Sequence, residues 1–180
     1  GVEELSKQLN HAGFPVLNCN YNFTGTSMHG KSLPYKIFQR DNIRIGVFGL
    51  GIQLDGLVNP GLYGTTKYLD PVVRAMEISS YLKNRKKCHL VVCLSHLGFD
   101  YKEDKISDTR LAERSEYIDL IIGGHTHTFM DEPFKINNAV GKKVLVTQAG
   151  WAGLRLGRID YRFERSTGKK IDLTTTMKEL

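Results

Sequence analysis

Two short apolar runs constrain this chain most. HLVVCL at 89–94 and IDLII at 118–122 are nearly continuous hydrophobic stretches. Runs of that length suit strands covered on both faces, as in a parallel sheet. Between them a helix is expected from about Ser107 to Ser115, with Leu111 and Ala112 turned inward. Strand, crossover helix and strand together predict a parallel pair. Both runs lead into histidine. His96 follows the first in VVCLSHLG, and His125 and His127 follow the second in LIIGGHTHT. Open α/β sheets collect ligands outside the carboxyl ends of their strands. If these two strands are neighbours, all three imidazoles meet at one rim.

The rest of the chain reads as α/β with a mixed sheet. Val2, Leu5, Leu9 and Ala12 mark one face of an N-terminal helix that Gly13 ends, and FPVLNCNY follows as a short strand. LPYKIFQ and NIRIGVFGLG are two strands joined by a tight turn at Asp41-Asn42, and residues 52–69 form a long glycine-rich loop. Asp70-Pro71 starts a helix, because Asp caps and Pro suits the first helical position. Its inner face would carry Val72, Ala75, Met76, Ser79 and Leu82. KVLVTQAG and LRLGRIDYRFER are two more strands. In the last, alternation slips between Leu154/Leu156 and Ile159/Tyr161/Phe163, so a bulge near Gly157 is expected. The order β-β-β-α-β-α-β-β-β fits one α/β domain over residues 1–180.

Composition removes some alternatives. The net charge of +6 concentrates in KNRKK at 83–87, which suits a solvated helix end. Acidic residues are interspersed elsewhere, so no broad basic face for nucleic acid is expected. No apolar run approaches the roughly 20 residues of a membrane span. Cys19, Cys88 and Cys93 lack metal-type CxxC spacing, and Cys19 and Cys93 read as small buried hydrophobes.

Neutral imidazole is a common ligand for zinc, manganese, iron, nickel and copper. Gly123 and Gly124 let the backbone turn and come close to a ligand. GGHxH directly after a buried strand is a far more specific signal than a lone histidine. Together with His96 it points to metal ligation. His11, His29 and His89 have no partner pattern and read as structural or exposed.

LSHLG at 94–98, IDLIIGGHTHT at 118–128 and VLVTQAG at 144–150 closely resemble the 5'-nucleotidase branch of the calcineurin-like metallophosphoesterases. That branch includes UDP-sugar hydrolases and 2',3'-cyclic-nucleotide phosphodiesterases. FPVLNCNY, PYKIF, IRIGVFGLG and YLDPV match it in the same order, so the resemblance covers roughly residues 1–165. It implies an α/β/β/α sandwich with two divalent metal ions, such as zinc or manganese, at the strand ends. On that pattern His96 and His125 would bind the second metal and His127 the first.

The family's upstream Asp-x-His, its bridging Gly-Asp and its Gly-Asn-His-Glu do not occur in this sequence. The resemblance therefore implies the later part of a catalytic domain, incomplete at its N-terminal side. Without the bridging carboxylate, three neutral imidazoles would face two dications, so at most one weakly bound metal is expected here. The intact parent would hydrolyse phosphoesters of nucleotides or UDP-sugars, and this chain alone would be inactive, with no catalytic residue assigned in it. An uncovered sheet would invite self-association or a complementing chain, and a non-catalytic, partner-binding remnant is the alternative reading. A mononuclear three-histidine hydrolase is a third, for which no general base is evident. The resemblance favours a periplasmic or extracellular setting.

Overall fold

The computed structural model describes residues 1–179. In chain order it contains α1 (Val2–Gln8), β1 (Tyr21–Asn22), β2 (Tyr35–Arg40), β3 (Ile43–Leu50), α2 (Pro60–Tyr63), β4 (Lys67–Tyr68) and α3 (Pro71–Ser80). There follow β5 (Leu90–Ser95), α4 (Asp108–Arg114), β6 (Leu120–Ile122), β7 (Phe134–Asn137), β8 (Lys143–Thr147), β9 (Arg155–Phe163) and β10 (Lys170–Glu179). Six strands form the main sheet in the order β2-β3-β5-β6-β8-β7. Its four inner strands run parallel, and β2 and β7 close the edges antiparallel. β5 and β6 are direct neighbours, as the α4 crossover requires.

Alternation along the strands builds two apolar layers. Phe48, Cys93, Ile121 and Val146 lie in register across the sheet, and all four are fully buried. They meet Ala75 and Leu82 from α3 and its C-terminal extension, and Leu111 and Ala112 from α4. On the opposite face Val47, Val92, Leu120 and Leu145 form the matching row. There Ile159, Tyr161, Phe163 and Leu173 of the β9–β10 hairpin cover them. The layers are thus helices, sheet and hairpin. α3 begins where Asp70 accepts from the amides of Val72 and Val73, at 2.8 and 3.0 Å, with Pro71 at the first helical position. It continues as a π-turn over Tyr81–Arg85, so the basic run does lie at a helix end. All three cysteines are buried and free.

Several expectations need correction. FPVLNCNY contributes only an isolated bridge at Leu17 and Tyr21, the first residue of the two-residue β1. The Asn18 side chain accepts from the amides of Asn20 and Tyr21, at 3.2 and 2.7 Å, and this local turn displaces a strand. α1 buries Ser6, whose hydroxyl donates to the Ser27 carbonyl at 2.8 Å, while Leu5 stays exposed. No bulge forms at Gly157. The β9–β10 ladder is unbroken from Arg155 to Arg162, and its irregularity lies between Lys170 and Asp172. The alternation slips because Leu156 lies on the outward face of β9, opposite in parity to Ile159, Tyr161 and Phe163, and Leu154 precedes the strand; both are exposed. β5 is not covered on both faces throughout: Leu94 is 40 % exposed, and beside it Ile122 is 42 % exposed. The hairpin leaves a cleft of about 390 Å³ there, lined by Ile122, Thr147, Ile159, Tyr161 and Met177.

Candidate metal centre

β5 ends at Ser95 and hands on directly to His96. β6 ends at Ile122, and Gly123 and Gly124 then lead to His125. Because the strands are adjacent and parallel, both turns leave the same edge. Gly124 lies against His96, where a β-carbon would fall 3.0 Å from Nδ1. The His96 and His125 rings sit edge to face, 5.3 Å between centroids with planes at 71°. His125 and His127 both take left-handed backbone conformations, at φ 71° and 53°. The alternation with Thr126 sends the His127 ring onto Trp151, stacked at 5.8 Å and 15°. The structure thus pairs His96 with His125 and places His127 nearby, turned toward Trp151. Among the described residues, no group of three or more His, Cys, Asp or Glu side chains is arranged to hold a metal ion unaided. His11 and His29 are exposed, and His89 Nδ1 accepts from the Arg44 amide at 3.0 Å.

Burial lowers the proton affinity of His96, and His127 lowers it further. Burial acts first on His125 too, followed by the positive fields of His96, Lys105 and His127. Both rings are therefore held toward the neutral form, whose nitrogen lone pair ligates metals. Neutral imidazole nitrogen is the kind of donor that borderline divalent ions take.

Residues absent from the sequence-based expectation hold these turns. The buried Gln148 donates from Nε2 to the Gly124 carbonyl at 2.8 Å. Its Oε1 accepts from the Thr128 amide at 3.1 Å and from Thr126 Oγ1 at 3.2 Å. Thr126 Oγ1 also accepts from the Phe99 amide at 3.0 Å, tying the His127 turn to the His96 turn. Asp108, the first residue of α4, is fully buried below Gly123. Burial pushes its carboxyl from 3.8 up to about 7, against the downward pull of the nearby Ser95 hydroxyl and the Gln148 amide. Its Oδ1 has no hydrogen-bond partner among the described residues. An acidic residue in a helix's first turn ordinarily complements the helix dipole. The sequence therefore carried no signal for Asp108.

No family model matches the chain. The snake venom 5'-nucleotidase of Gloydius brevicauda is 28% identical over 97% of this chain and 32% of its own length. The 5'-nucleotidase of Vibrio cholerae is 30% identical over 90% of the chain and 32% of its own length. Among solved structures, the 5'-nucleotidase precursor of Thermus thermophilus superposes with a TM-score of 0.84 at 28% identity, over 98% of this chain and 36% of that one. This chain belongs to the 5'-nucleotidase branch of the calcineurin-like phosphoesterases. Its sheet, helices and hairpin are a part of that fold. The chain spans about a third of the length of these curated 5'-nucleotidases.

Proposed function

We propose that this chain carries part of the metal site of a phosphoester hydrolase of the 5'-nucleotidase type, with His96, His125 and His127 as metal ligands. The observation that carries this reading is the pairing of His96 with His125 at the ends of two adjacent parallel strands. His96 and His125 would share one ion. His127, on the far side of Thr126 and against Trp151, would serve the other. Divalent ions at such a rim polarise a phosphoryl oxygen and acidify water. The chain's own part is to hold neutral imidazoles rigidly in place and to keep them partly out of water. Nucleotides are the substrate class in this reading, as the named relatives suggest. Among the described residues, no carboxylate joins the imidazoles in a ligand group. Two dications would therefore repel one another here without compensation. On this reading the chain alone binds at most one ion, weakly, and is nearly inactive.

The test joins the chain to the family's upstream segment, taken from the Thermus thermophilus relative. The joined protein should release phosphate from a nucleoside monophosphate only with manganese or zinc, and His125→Ala should lower that rate about a hundredfold, the scale of metal-supplied stabilisation. A joined protein that binds metal but releases no phosphate would contradict the reading. A second reading, a chain whose role is to bind a partner, is favoured by the exposed Leu94 and Ile122 on the sheet face.

A further inference from the structure

The histidine turns stand on a polar floor formed by the buried Asp108 and Gln148. Asp108 Oδ2 accepts from Gln148 Nε2 at 3.4 Å, and the Asp108 amide donates to the Gly98 carbonyl at 2.8 Å. The carboxylate lies so close to Gly123 that a β-carbon there would collide with Oδ2. One residue therefore braces the turn after β5 at Gly98 and the turn after β6 at Gly123.

This contact is one of four that fix the direction of the Gln148 amide. Nε2 faces two acceptors, Asp108 Oδ2 and the Gly124 carbonyl, while Oε1 faces two donors, the Thr128 amide and Thr126 Oγ1. Turning the amide over would set Nε2 against the Thr128 N–H and Oε1 against the Gly124 oxygen, losing bonds at both ends. An apolar residue at 108 would fill the space but remove one of the two acceptors. The loop above needs this restraint, because His125 and His127 occupy left-handed backbone that costs roughly 1–2 kcal/mol each.

We propose that Asp108 is a positioning residue: by accepting from Gln148 it fixes the amide that clamps residues 123–128, and so sets where His125 and His127 stand relative to His96. This rests on the reading of those histidines as metal ligands, and it extends that reading to a residue that binds no metal itself. Outer partners of metal ligands typically change metal affinity 10–100-fold when removed.

The full chain provides the test, in two measurements. In the metal-free protein, Asp108→Leu should shift the backbone amide and imidazole NMR signals of His125, His127 and Thr128. Those of His11, His29 and His89 should stay in place. Asp108→Asn, which keeps an acceptor oxygen, should restore the wild-type pattern. Zinc affinity, read by competition with a chromophoric chelator, should fall about 10–100-fold in Asp108→Leu and return in Asp108→Asn. A loss of stability with unmoved His125 and His127 signals and unchanged zinc affinity would overturn the proposal. Gln148→Met breaks the same clamp from the other side and should move the same signals. It carries the test if Asp108→Leu does not fold, and unfolding of both variants would count against the proposal. Failure of the wild-type chain to bind zinc would instead sink the ligand reading, leaving the metal-free signals to decide the role of Asp108.

Discussion

At the scale of single residues, the strongest chemistry lies where polar groups are withheld from water. Asp108 gives this a measurable form. Its carboxyl rises from 3.8 to about 7 on folding because burial disfavours the charged form. The folded state therefore holds this proton more tightly than the unfolded state. Its contribution is fully present below about pH 3.8 and is lost as pH climbs toward 7. The loss is of the order of 4 kcal/mol by the usual conversion of such a shift. Asp108→Asn never ionises. Urea unfolding should show the variant gaining on the wild type between pH 4 and pH 7, and a pH-independent difference would refute the buried acid. The approach of His96 to His125 was legible because each follows an apolar run and the two runs pair as parallel strands. Asp108 and Gln148 were not, since an acid at a helix start and a glutamine after a strand are both unremarkable until the fold packs them together.

At the scale of elements, what was legible tracks how many faces of an element the core covers. β5, β6 and β8 announce themselves as apolar runs because the helices bury one face and the hairpin most of the other. α3 was readable from its Asp-Pro start and its small inner face. β7 and β10 were not, because exposed strands at the periphery carry little apolar pattern: most of each is exposed. FPVLNCNY misled because two asparagines, Asn18 and Asn20, bond to backbone and break the run. The sheet face also yields a prediction. Leu94 and Ile122 stand side by side and exposed at the site end of β5 and β6. Apolar surface of this kind drives association. Light scattering should show a mass that rises with protein concentration, and Leu94→Lys with Ile122→Lys should return the chain to a monomer. A strictly monomeric wild type at every concentration would contradict this.

At the scale of the whole molecule, the sheet is a device for bringing two distant histidine turns to one rim. Residues 96 and 125 are 29 positions apart in sequence, yet their rings pack edge to face because β5 and β6 are parallel neighbours. The mixed sheet was foreseeable from the order of elements. The family resemblance already set His127 apart from the pair, whereas its spacing alone did not, since the separation depends on two left-handed residues and on Trp151. The measurement that bears most directly on the account is a zinc titration of the chain followed through the imidazole nitrogen signals of all six histidines. The account predicts that His96 and His125 respond first and together, while His11, His29 and His89 hold their positions. Zinc that moves the remote histidines first, or that leaves His96 and His125 unmoved, would contradict it.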